Sequence, residues 1–283
     1  MLTVRKPELD QRSTPLVWSR VPEFALYNNG SSICIPYYEH FLNNVAKEVR
    51  DEHCGSRPEL RETLDLFIRQ EATHARYHTD FNRRLLGDDN PELEAIVAEL
   101  VEDLRKLRKN RSLAFNMAFC AGFENTATFS ALYLFQHCDD LFEGADARGA
   151  NLFLWHVAEE FEHRSVCHDA FHAISGNWLV RVSALAYSFW HVGHYFDRAA
   201  AVVLRQWRET LSEEERSASV QRERMLKRRQ MRFILPRLRH LVMPGFDPAS
   251  FEVPPKIAAA LDHFAGEEPI HRHFNQTWDE RTA

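Results

Sequence analysis

Four glutamates recur through an otherwise apolar part of this chain, and two of them are followed three residues later by histidine. In order they are Glu39 in IPYYEHFL, Glu71 and His74 in EATH, Glu124 in FCAGFENTATF, and Glu160 and His163 in EFEH. Residues i and i+3 share one face of a helix about a turn apart, so each E-x-x-H pair can present a carboxylate and an imidazole to the same ion. A single E-x-x-H is common by chance. The order Glu, E-x-x-H, Glu, E-x-x-H on successive helices is not, and it is the pattern of a dinuclear iron or manganese carboxylate site in a helical bundle. Glu39 and Glu71 are 32 residues apart and Glu124 and Glu160 are 36 apart, as two similar helical hairpins require. Glu124 sits among Phe119, Cys120, Phe123 and Phe129. A carboxylate buried there is costly without a cation or hydrogen-bonding partner.

Such a site needs helices, and the punctuation supplies them. Ten glycines, 12 prolines and few alternating β-branched runs point to an all-α chain. Pro36 is placed to open a first helix that runs to about Cys54. Ser56 and Pro58 start a second, to about Leu86, and GDDNPEL breaks the chain before a connecting helix over about 91–109. Further helices are expected over about 111–138, 148–174 (stopped by Ser175-Gly176-Asn177) and 178–210. Ser212, followed by Glu213–Glu215, caps another, and the tail from Lys256 reads as two short helical pieces. Short turns join helices one to two and three to four, whereas a crossover of about 24 residues separates two from three. This connectivity is that of a ferritin-like four-helix bundle with additional C-terminal helices. The expectation is a single helical domain over 1–283, with the metal-binding core at about 33–175 and additional helices over 178–283.

The stretch WHVAEEFEH, 155–163, adds a third histidine to the pattern. At about 100° per residue, His156, Glu160 and His163 fall within roughly 60° of one another around the helix. The candidate ligands are therefore Glu39, Glu71, His74, Glu124, His156, Glu160 and His163. Glu159 competes with Glu160 for the carboxylate role, Glu162 is expected to face outward, and His78, one turn past His74, is ambiguous. Asp169 is a candidate for orienting a ligand imidazole. Tyr38, Phe123, Phe161, Cys120 and Cys167 are candidates for the surroundings of the site, the two thiols most simply as small apolar fillers.

The formal net charge of −6 argues against nucleic-acid binding, which normally leaves a basic footprint. Five cysteines without a C-x-x-C pair, and no signal peptide in MLTVRKPELDQ, predict a reduced, cytoplasmic protein. The longest apolar stretch, 178–204, carries Arg181, His191, His194, Asp197 and Arg198 and fails as a membrane span of about 20 apolar residues. Its aromatic residues suit either a substrate tunnel or a second subunit, as in a homodimer. His191 and His194 read as pocket-lining or structural, and the basic run QRERMLKRRQMR (221–232) as a solvated face or, alternatively, a surface for an anionic partner or membrane.

At these residues the chain resembles the bacterial predicted metal-dependent hydrolases, whose topology is ferritin-like. The resemblance runs from about residue 1 to 210. It rests on Pro36, Glu39 and Phe41, on Gln70-Glu71 with His74, on the Glu124 helix, and on Trp155-His156, Glu159-Glu160 and Glu162-His163 leading to Asp169. Tyr38 stands where that family often has glycine, which implies a narrower, more aromatic pocket beside Glu39. The His156, Glu160, His163 spacing is also similar to that of the di-iron arylamine N-oxygenases. That likeness implies Glu71 and Glu160 as bridging ligands, two iron ions or a manganese–iron pair as cofactor, and O2 as co-substrate. The expected activity is then oxidation of a small, apolar or aromatic molecule, with an electron donor as a partner. The alternatives are a dinuclear metal-dependent hydrolase and a non-enzymatic iron-handling protein.

Overall fold

The structure, a computed structural model, describes residues 2–9, 13–86 and 90–266. Among these residues there is no strand, and the chain is all-α. The elements are α1 (Pro22–His53), α2 (Pro58–Leu86), α3 (Pro91–Asn110), α4 (Leu113–His137), α5 (Asp139–Phe142), α6 (Ala147–His163), α7 (Val166–Ile174), α8 (Trp178–Arg208), α9 (Glu213–Leu241) and α10 (Pro255–Ala265), with a 3-10 turn at Pro248–Ser250. Helix α1 packs on α2 and α8; α4 packs on α8, α6 and α7; and α2 meets α6 and α7. The four segments that carry the Glu/His pattern are thereby brought together, with α8 joining α1 to α4.

Two apolar clusters flank them. One is built from α1–α4, α7 and α8 around Leu42, Phe67 and Phe119. The other gathers Trp18, Phe153, Trp155, Phe161, Ile234 and the apolar residues of α10. The second piece of the expected tail lies outside the described residues.

Two helix boundaries differ from the sequence reading. Helix α1 begins at Pro22, not Pro36, which lies inside the helix. Proline has no N–H to offer the carbonyl four residues earlier, Ser32. Asn82 Nδ2 donates to that carbonyl at 2.6 Å, which replaces the missing bond and tolerates the proline. The expected helix over 148–174 is divided into α6 and α7. Arg164 Nη1 donates to the Phe161 carbonyl at 2.9 Å, the acceptor that Ser165 N–H would use in an unbroken helix. The capping reading of Ser212 holds: its hydroxyl accepts from Glu215 N–H, and the Glu215 carboxylate accepts from Ser212 N–H.

At Gly30, α1 passes close against α8. A Cβ there would fall on the backbone of Ala199 and Ala200. Gly30→Ala is expected to destabilise the protein by about 1–3 kcal/mol, measured as a lower midpoint of urea unfolding with an unchanged slope.

Candidate metal centre

The seven expected side chains meet in one buried site. Glu39 and Glu71 are 0% exposed, Glu124 is 0% and Glu160 is 2%. They form two groups whose potential ligand atoms lie within 4.8 Å of one another: Glu39, His74, His156 and Glu160, and Glu71, Glu124, Glu160 and His163. Glu160 is shared. Helix α1 supplies Glu39, α2 supplies Glu71 and His74, α4 supplies Glu124, and α6 supplies the other three. Glu71 belongs to the second group, although its Oε1 is also 3.8 Å from His74 Nδ1.

Two observations test whether these residues suit metal ions. Both carboxylate oxygens of Glu39, Glu71 and Glu124, together with Glu160 Oε2, His74 Nδ1 and His163 Nδ1, are buried without a hydrogen-bond partner. Some are very close, such as His163 Nδ1 and Glu71 Oε1 at 2.8 Å, yet they are not aligned as donor and acceptor. Buried polar atoms are normally paired, so a cluster of orphans from six neighbouring residues calls for cations. Charge agrees: four carboxylates neutralise two divalent ions. The donor set of carboxylate oxygen and imidazole nitrogen suits iron, manganese and zinc.

The far nitrogen of each histidine is held by another residue. His74 Nε2 lies 2.7 Å from Glu159 Oε2, whose partner Oε1 accepts from Arg5 at 3.1 Å. His163 Nε2 lies 3.2 Å from Gln70 Oε1. His156 reverses the use of its ring: Nδ1 meets His78 Nε2 at 2.7 Å, and Nε2 faces Glu160 at 2.7 Å and Glu39 at 3.2 Å. His78 Nδ1 in turn meets the Ser32 hydroxyl at 2.7 Å. Such partners fix the tautomer and the ring plane of a metal-binding histidine.

Electrostatics divide the carboxylates. Burial pushes Glu39 well above the usual carboxylate range, opposed by the His156 hydrogen bond and reinforced by the charges of Glu71 and Glu160. Burial and the Glu160 charge raise Glu124 in the same way. Burial also acts to raise Glu160, but hydrogen bonds from His156, His163 and His74 outweigh it and hold the carboxyl well below the usual range. For His74 burial acts downward, yet hydrogen bonds with Glu159 and Glu160 raise it to about 9. His163 is raised well above its ordinary value against burial, by the charge of Glu71 and hydrogen bonds with Glu124 and Glu160. In the metal-free protein these shifts favour the protonated forms of Glu39, Glu124, His74 and His163, and incoming cations must displace such protons. Zinc affinity is expected to rise with pH, by about 100-fold between pH 6 and 8 for each net proton released. Calorimetric titrations in buffers of different ionisation enthalpy would count those protons.

The other candidates separate clearly. Glu159 faces the site but is occupied by His74 and Arg5. Glu162 is not simply outward: it pairs with Arg5 at 2.7 Å and takes a bond from Gln70. Asp169 is solvent-exposed on α7 and orients no imidazole, a correction to the sequence reading; the turn at Arg164–Ser165 separates α7 from α6. Cys120 and Cys167 are buried, and burial followed by the Glu124 charge pushes both thiols up, so they stay protonated fillers beside that glutamate. All five cysteines are free. Tyr38 turns its hydroxyl to His191 Nδ1 at 2.8 Å and stacks on Phe123. Phe161 packs in the second apolar cluster.

A cavity of about 180 Å³ opens onto the centre. His156 and Glu160 are among its lining residues, and Ile35, Phe123, Phe153, Val157, Leu134 and Phe196 give it apolar walls. Glu223, Leu226, Lys227 and Gln230 of α9 also line it. The basic run is thus more than a solvated face. Arg222 pairs with the buried Glu23 at 2.8 Å and Arg229 with Asp140 at 2.8 Å, so these cations tie α9 across the cavity. Nothing in the periodicity of 221–232 signals that role, because the partners lie 89 to 199 residues away.

The family model described as predicted metal-dependent hydrolase matches residues 3–252. The chain belongs to this family. The match extends past residue 210, where the motif resemblance fades, and takes in α9 and its wall of the cavity. No curated protein and no solved structure compared with the chain matches it. No helix among the described residues is long and apolar enough to cross a membrane.

Proposed function

We propose that the chain is a dinuclear metal-dependent hydrolase of ferritin-like architecture, acting on a small substrate with an apolar or aromatic body. The observation that carries this reading is the cluster of orphaned buried donors on six of seven converging residues. Family membership moves the expected chemistry from oxidation to hydrolysis. Glu39, His74 and His156 would hold one ion, Glu71, Glu124 and His163 the other, and Glu160 would contact both. Two divalent ions at such a site supply Lewis-acid polarisation of a substrate oxygen and a lowered pKa for a water.

The protein's own part is positioning and exclusion. A cavity of about 150 Å³ accommodates a benzene ring, so the 180 Å³ here takes one substituted ring or a short alkyl group. Ile35, Phe123, Phe153 and Phe196 would hold that group by apolar contact and keep bulk water from His156 and Glu160. Glu160, held ionised by three histidines, and His156, anchored by His78, would keep the floor of the cavity fixed as substrate enters.

A second reading is O2-dependent oxidation of the same substrate with an iron or manganese–iron pair. The apolar walls suit it equally, because they would keep bulk water from the floor of the cavity. Protein freed of metal and reloaded with zinc or manganese, then offered phenyl acetate under argon, separates the two. Hydrolysis without O2 supports the first reading. Absence of hydrolysis, with iron- and O2-dependent consumption of a phenyl substrate, transfers the case to the second.

A further inference from the structure

Residues 2–9 precede the first helix and have no regular secondary structure, yet two of them reach the centre from behind. Arg5 is 9% exposed. Its Nη1 donates to Glu159 Oε1 at 3.1 Å and to Glu162 Oε2 at 2.7 Å, and its Nη2 donates to Glu162 Oε1 at 3.2 Å. The other oxygen of Glu159 is the partner of His74 Nε2. The Thr3 carbonyl accepts from Gln70 Nε2 at 3.1 Å, while Gln70 Oε1 is the partner of His163 Nε2. The same segment therefore ends two chains of hydrogen bonds, one through each E-x-x-H histidine, cross-linked where Glu162 accepts from both Arg5 and Gln70.

Arg5 is itself locked from the far end of the sequence. Its Nε donates to the Leu261 carbonyl on α10 at 3.1 Å. Helix α10 packs on α6 through Ile257, Ala260, Leu261 and Phe264. An arginine fork placed between two carboxylates and a carbonyl has every donor nitrogen in use, an arrangement lysine cannot reproduce.

We propose that this N-terminal strap sets the metal affinity of the centre, with Arg5 as a positioning residue that acts through Glu159 and Gln70 on His74 and His163. The proposal rests on the dinuclear metal reading above. With Arg5 in place, Glu159 is held against His74 Nε2, an arrangement that would leave His74 Nδ1 to face the ion. Glu162, held by Arg5, accepts from Gln70 at 3.3 Å and keeps the amide oxygen toward His163. Loss of the guanidinium leaves two carboxylates facing each other without a cation and frees both imidazoles to rotate.

The test is titration of full-length, metal-free protein with Co(II), followed by visible ligand-field absorption, for wild type, Arg5→Ala, Arg5→Lys and the exposed strap control Lys6→Ala. Wild type and Lys6→Ala are expected to bind two ions per chain. Arg5→Ala is expected to bind at least one of them about 10–100-fold more weakly, with shifted absorption bands, and Arg5→Lys to recover part of the loss. Glu159→Gln, which preserves shape and removes charge, is expected to weaken the same step and serves if Arg5→Ala does not fold. Folded Arg5→Ala with wild-type affinities and bands would overturn the proposal. Wild type that takes up no Co(II) would instead remove the metal-centre reading, and the proposal with it.

Discussion

Glu160→Ala is expected to empty both metal positions. Every other candidate ligand belongs to one of the two groups of donors, whereas Glu160 belongs to both. It also holds His156 at 2.7 Å and lies 3.5 Å from His74 and 3.8 Å from His163. Its loss should reduce metal content from two ions per chain to well below one, and affinity by more than the roughly 10–100-fold typical of losing a supporting residue. Activity should fall to the background rate. Glu39→Ala and Glu124→Ala should each empty one position and leave the other measurable. Metal analysis after gel filtration distinguishes these outcomes; a Glu160→Ala protein that retains two ions would show that Glu160 is not shared.

The second large effect separates the cavity from the metals. Ala127 lines the cavity on α4 and is not one of the candidate ligands. Ala127→Phe places a ring in a space of about 180 Å³. The expected result is a fall in kcat/KM of about 100-fold for a phenyl ester, since displacement of a substrate by about 1 Å already costs that much. Metal content should stay at two ions per chain. Unchanged turnover would place the substrate elsewhere. Loss of metal together with activity would show that the cavity and the centre cannot be altered independently.

The candidate site is legible in the sequence because helical spacing is local. Residues i, i+3 and i+4 share a face whatever the tertiary fold, so spacing alone pairs Glu71 with His74, and His156 with Glu160 and His163. The single glutamates follow from their apolar surroundings and from the order of the helices. What supports the site is not legible. Arg5 meets Glu159 across 154 residues, and Gln70 meets His163 across 93. No periodicity encodes such contacts.

The errors have the same origin. Pro36 looks like a helix start because the Asn82 side chain that rescues it lies 50 residues away from Ser32. Asp169 looks like a neighbour of His163 only if the helix is continuous, whereas α6 ends at His163 and α7 begins at Val166. Fold class survives both mistakes. It depends on the summed preference of long segments, not on any one boundary.

The central claim is that seven side chains from α1, α2, α4 and α6 hold two metal ions. Anomalous X-ray scattering from crystals of the zinc- or manganese-loaded protein tests it most directly. Two peaks per chain are predicted, one among Glu39, His74, His156 and Glu160 and one among Glu71, Glu124, Glu160 and His163. A chain with no peak there, or with ions bound only at other residues, would contradict the claim.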